Sequence, residues 1–147
     1  LYGNYLQPRM SYRTIHPKGS LACDQPSNLG LKLFNDTVKK KDLTIGLDRF
    51  VKHHHFLEIA RGRPIPHETW YQNAGYYYCF GHYYYAQVVK QLPENERAKY
   101  WKPLSQWMLN AQQKDGSWWD WRPTGFRKAY GTAYALMALI PAAQSRR

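Results

Sequence analysis

Tyr130-Gly131-Thr132-Ala133-Tyr134-Ala135-Leu136-Met137-Ala138-Leu139-Ile140 carries no charge and sets Gly131, Ala135 and Ala138 at steps of four and three, continued by Ala142. Residues so spaced lie above one another on an α-helix, so the stretch reads as a helix with a stripe of small side chains that admits a close neighbour. The same offsets recur upstream as Gly75, Cys79, His82 and Ala86, and Gly30 is a third candidate for the head of such a stripe. The intervals, 45 residues from Gly30 to Gly75 and 56 from Gly75 to Gly131, suit a helical hairpin with its loop.

Outward from this stretch, hydrophobic periodicity and Pro/Gly punctuation predict five helices. The first covers 28–40 and opens at Ser27. A second begins at Asp42 or Thr44, carries Leu43, Leu47, Phe50, Val51 and Leu57 along one side, and stops at Arg61-Gly62 before Pro64. A third runs over 70–92 to Pro93. In the fourth, over 96–112, Pro103 predicts a restart, after which Leu104, Trp107, Met108 and Ala111 share a buried face. The fifth covers 130–140 and stops at Pro141. Odd helices are small-faced and poor in charge, whereas even ones are amphipathic and charged. The expected fold is therefore all-α: an irregular lead over 1–27, then helical hairpin repeats over 28–147 with odd helices inside a stack and even ones outside.

Composition excludes several classes. The formal net charge is +11, yet the cations are scattered, with tight runs only at Lys39-Lys40-Lys41 and Arg146-Arg147, so no nucleic-acid partner is expected. The front of the chain lacks the apolar stretch of a signal peptide. The long run 70–89 has His82 as its one basic residue but holds seven tyrosines, and 133–143 is too short, so no transmembrane segment is expected. Cys23 and Cys79 imply no disulfide framework, and the compartment stays open.

At Trp107-Met108-Leu109-Asn110-Ala111-Gln112-Gln113-Lys114-Asp115-Gly116-Ser117-Trp118 an aromatic and an apolar residue lead to Gln112, Gly116 and Trp118 at fixed spacing. The stretch resembles the QW repeat of squalene and oxidosqualene cyclases, with Pro103 and Leu104 where that repeat usually has a basic and a small residue. The helix from Tyr130 looks like the one that follows such a repeat. The resemblance covers 107–139 well and 28–92 only as alternating helices. It implies the C-terminal portion of an α/α toroid similar to terpenoid cyclases and protein prenyltransferases. About two and a half hairpins would be present, and the rest of the toroid is expected from N-terminal sequence or from another chain. Trp107, Gln112, Asp115, Gly116 and Trp118 are then structural: Gln112 ends a helix, Asp115-Gly116 turns, and Trp118 packs on the Gln112 amide. The families' chemical signatures, an Asp-x-Asp-Asp acid or an Asp-x-Cys zinc pair, do not occur at matching positions, so whether the chain is an enzyme stays open and no cofactor is expected.

On helical geometry Tyr78, His82, Tyr85 and Val89 share one face of the third helix, and Tyr77, Gly81, Tyr84 and Val88 the adjacent one. If that helix lines a central cavity, as the resemblance implies, Tyr77, Tyr78, Tyr84 and Tyr85 are ligand-binding candidates and His82 the catalytic one, with an apolar small molecule as ligand. Plain packing of these tyrosines and a structural histidine is the rival reading. Cys79 and His82 supply two metal ligands where zinc needs three or four, and His67 or Asp120 would have to be recruited, so no metal site is expected. His53-His54-His55 diverge by about 100° per residue and read as solvated surface. Trp118, Trp119 and Trp121 flank Asp120 near one end of the stack. Three functions follow: a cyclase-like or prenyltransferase-like protein for an apolar isoprenoid, a carbohydrate-active toroid with paired carboxylates, or a non-catalytic scaffold.

Overall fold

The computed structural model describes residues 17–34, 38–65, 71, 74–121 and 127–145. Among them the regular elements are helical: α1 (Pro17–Phe34), α2 (Lys40–His53), α3 (His55–Gly62), a 3₁₀ turn (Ala74–Tyr76), α4 (Tyr78–Val89), α5 (Glu94–Ala111) and α6 (Lys128–Gln144). Helix α4 is the middle of a row, with α1 on one flank and α6 on the other. The α2–α3 pair and α5 lie across one face of that row and bury the core between the two layers, centred on Leu21, Leu47, Phe50, Leu57, Tyr78, Tyr85, Leu104 and Met108. Odd and even segments of the sequence thus separate into two layers.

Several boundaries differ from expectation. Helix α1 begins at Pro17, a residue whose fixed φ and missing N–H suit a first helical position. The irregular lead is therefore helical from 17 onward, while 1–16 lie outside the described residues. Ser27 does not cap a helix; its hydroxyl donates back to the Cys23 carbonyl at 2.9 Å, four residues earlier on the same helix. The true start of α2 is marked by Asp42, whose carboxylate accepts the Lys39 N–H at 2.8 Å. Pro103 sits inside an unbroken α5, and Pro141 inside α6. The carbonyls they leave unbonded belong to Lys99 and Met137, both exposed, where water can serve them.

The predicted second helix breaks at His54, which separates α2 from α3. The third begins only at Tyr78, after the 3₁₀ turn, and the expected start near Trp70 lies outside the described residues. Gly75 in that turn and Gly131 in α6 play parallel parts. A Cβ on Gly75 would lie 3.0 Å from the Ala60 carbonyl oxygen, and one on Gly131 only 2.7 Å from that of Trp118. Gly131 thus lets the 112–118 turn press on α6, and Gly75 lets the 3₁₀ turn before α4 press on α3. Gly30 has no such role: it lies near the C-terminal end of α1 with open space around it, and the close approach of α1 to α4 is Ala22 against Gly81. The expected equivalence of Gly30 is corrected accordingly.

The 112–118 turn is braced from both sides. Gly116 adopts φ of 82°, which a residue without Cβ tolerates. The Gln112 amide donates to the Gly116 carbonyl at 2.9 Å, and the Trp118 indole N–H donates to the Met108 carbonyl at 2.7 Å, serving a free acceptor at the end of α5. Asp115 accepts from the Ser117 N–H and hydroxyl and pairs with Lys128. The Lys128 and Ser117 hydrogen bonds hold its carboxyl well below the usual carboxylate range.

Candidate functional site

Helix α4 divides its aromatic residues between two environments. Tyr78, His82 and Tyr85 are fully enclosed, each 0% exposed, and point into the layer of α2, α3 and α5. The expectation that they face a cavity is corrected: Phe50 on α2 lies 5.3 Å from His82 and 4.9 Å from Tyr85, ring centre to ring centre. Tyr85 also donates to the Tyr100 carbonyl on α5 at 3.3 Å. The face was legible from helical spacing, but not which layer it would meet.

His82 anchors a small buried network. Its Nδ1 lies 2.7 Å from the Tyr78 carbonyl oxygen, which can only accept, so Nδ1 carries the proton and Nε2 is bare. His54 Nε2 lies 2.8 Å from that bare nitrogen and must therefore donate to it. Both rings are neutral. Burial pushes His82 down to about 4, and burial together with the neighbouring His82 pushes His54 down to about 2. His54 stacks on Trp107 with ring centres 3.8 Å apart and planes 6° from parallel. Tyr78 donates its hydroxyl to Glu58, and the Arg61 guanidinium lies 4.8 Å above the Tyr78 ring. The solvated reading of His53-His54-His55 holds for His55, which is exposed; His54 is buried, in helical register with Leu47, Phe50 and Leu57. His54 continues the helical spacing of Leu43, Leu47, Phe50 and Leu57, a signal that reading the three histidines as surface missed, whereas Glu58 carried none, since its partner lies 20 residues away.

The opposite face of α4 is not covered by the second layer. There Tyr77, Phe80, Tyr83 and Tyr84 are half-buried, joined by Tyr130 and Tyr134 from α6. Tyr83 and Tyr134 lie 4.9 Å apart at 69°, Phe80 and Tyr84 4.7 Å at 56°, and Tyr130 and Tyr134 4.5 Å at 59°. These are edge-to-face and tilted contacts, which hold the rings together. Burial, with Tyr134 and Tyr83 nearby, raises the Tyr84 phenol above its ordinary value. Of the candidates named from sequence, Tyr77 and Tyr84 belong to this wall; Phe80, Tyr83, Tyr130 and Tyr134 join them.

At one end of the row sits Asp120, whose role the sequence did not reveal. One carboxyl oxygen accepts the Cys79 N–H at 2.7 Å, capping the first turn of α4 from 41 residues away. The other has no hydrogen-bond partner among the described residues, and burial raises the carboxyl to about 6 against the pull of the Cys79 hydrogen bond. Cys79 is itself buried, and among the described residues no group of three or more His, Cys, Asp or Glu is placed to hold a metal ion. No described helix is long and apolar enough to cross a membrane. No protein-family model, curated protein or solved structure matches the chain.

Proposed function

We propose that the chain forms part of an α/α toroid of the terpenoid-cyclase and protein-prenyltransferase kind and holds an apolar, isoprenoid-type ligand against the tyrosine wall of α4 and α6. The observation that carries this reading is the wall itself: six half-buried rings on the face of the row that the second layer leaves open. The alternation of row helices with covering helices supports the toroid, as does the braced turn through Gln112, Gly116 and Trp118. The wall is built of Tyr and Phe, with Asp120 acting on Tyr130 rather than a facing pair of carboxylates among the described residues, which favours an apolar ligand over a sugar handled by paired carboxylates. A ligand removing about 250 Å² of apolar surface from water gains roughly 6 kcal/mol before the costs of ordering.

Calorimetric titration with farnesol tests this. Saturable binding is expected, weakened at least about tenfold by Tyr84→Ala or Tyr134→Ala, each of which removes a ring's contact area. His82→Ala should lower stability and leave that binding unchanged, because His82 lies on the other side of α4. Binding of an oligosaccharide in place of farnesol supports the carbohydrate reading, and binding of neither supports a scaffold.

A further inference from the structure

A second concave site lies on the far side of α4 from the tyrosine wall, in a groove between the α2–α3 pair and α5. Its volume is about 600 Å³, within the range of small-molecule clefts. Val51 and Ile59 form aliphatic sides, 38% and 41% exposed, and the Trp107 ring, stacked on His54, forms an aromatic boundary. His55 and Asn110 supply further polar groups. Glu58 is the one acidic residue in the lining, and no lysine or arginine lines it. We propose that this groove binds a small primary amine with an apolar body, the ammonium seated on Glu58 and the body between Val51, Ile59 and Trp107.

Charge and geometry both point to that class. Glu58 donates nothing; one oxygen accepts the Tyr78 hydroxyl, which fixes the carboxylate at the groove while its side chain stays 44% exposed. A charged hydrogen bond to a carboxylate is stronger than a neutral one. The nearest buried cation, Arg61, is already committed: it donates to the Ala111 and Trp119 carbonyls and rests on the Tyr78 ring. His54 stays neutral and adds no repulsion.

The test is an NMR titration of the folded chain with 2-phenylethylamine and its uncharged counterpart 2-phenylethanol, following the Trp107 and Asn110 side-chain signals. The amine is expected to shift both saturably and to bind at least about tenfold more tightly than the alcohol, the worth of one charged hydrogen bond. Glu58→Gln keeps an acceptor for Tyr78 and hence the fold, which an unchanged amide spectrum verifies, and is expected to erase the preference for the amine. Tyr84→Ala is expected to leave it intact, so failure of the wall and failure of the groove are separable. Equal binding of amine and alcohol overturns the proposal. So does an amine that leaves Trp107 unmoved, or a preference that survives Glu58→Gln.

Discussion

Replacing Gly131 and Gly30 by alanine, one at a time, subjects two helical glycines to the same change with opposite expected outcomes. At Gly131 the new Cβ would lie 2.7 Å from the Trp118 oxygen and 2.9 Å from Trp119 Cα. Both are backbone atoms of a chain fixed by the Trp118 indole bond to Met108, so the contact is relieved only by moving the turn off α6. Overpacking of this kind costs roughly 1–3 kcal/mol, against a gain of about 0.5–1 kcal/mol in helix propensity. The net is a loss of up to about 2.5 kcal/mol, which lowers the urea midpoint by up to about 1.2 M for a slope near 2 kcal/mol/M. At Gly30 nothing lies within 4 Å of the new Cβ, so only the propensity gain of about 0.5–1 kcal/mol remains and the midpoint rises. Urea denaturation followed by far-UV circular dichroism measures both. A Gly131→Ala protein as stable as Gly30→Ala refutes the close approach of the turn to α6.

Three further outcomes follow from the buried polar groups. His82, held at about 4, is neutral in the folded chain but takes a proton near pH 6.5 when unfolded, so its contribution is flat above pH 7 and turns against folding as the pH falls toward 4. His54, held at about 2, adds a similar amount, so at pH 5 the two together cost about 4 kcal/mol, measured by urea titration as a loss relative to pH 7 in a protein carrying Asp24→Asn and Asp120→Asn; a flat profile contradicts it. Those substitutions are needed because Asp24 and Asp120, raised to about 6 by burial, stabilise the fold as they regain protons below pH 6 and mask the histidines. At pH 7.5 Asp120→Asn keeps an acceptor for Cys79 and sheds a buried charge, so it should match or exceed the parent in thermal stability. Asp120→Ala should lose about 1 kcal/mol with the cap. Trp118→Phe should lose about 1 kcal/mol from the indole bond to Met108 and leave the helix content unchanged by circular dichroism.

The layering was legible because it is periodic. The Gly131, Ala135, Ala138 and Ala142 stripe is the buried side of α6, and its upstream counterpart ending in Cys79, His82 and Ala86 is buried on α4. Boundaries were less so, because Pro103 and Pro141 read as a restart and a stop but sit inside helices. Tertiary packing outweighs the lost hydrogen bond where the freed carbonyl reaches water. Helical spacing also sorted the tyrosines onto two faces correctly without saying which face the second layer would cover. That choice depends on Phe50 and Trp107 from other helices, and no local pattern encodes it. Glu58 and Asp120 were invisible for the same reason: each acts on α4 across a long stretch of chain.

The division of α4 into an enclosed face and an open aromatic face is the claim on which the rest depends, and chemical nitration read by peptide mass spectrometry measures it residue by residue. With mild tetranitromethane treatment of the folded chain, Tyr83, Tyr84 and Tyr134 are expected to be modified, while Tyr78 and Tyr85 react only after urea is added. Modification of Tyr78 or Tyr85 in the folded chain as fast as Tyr84 would contradict the account.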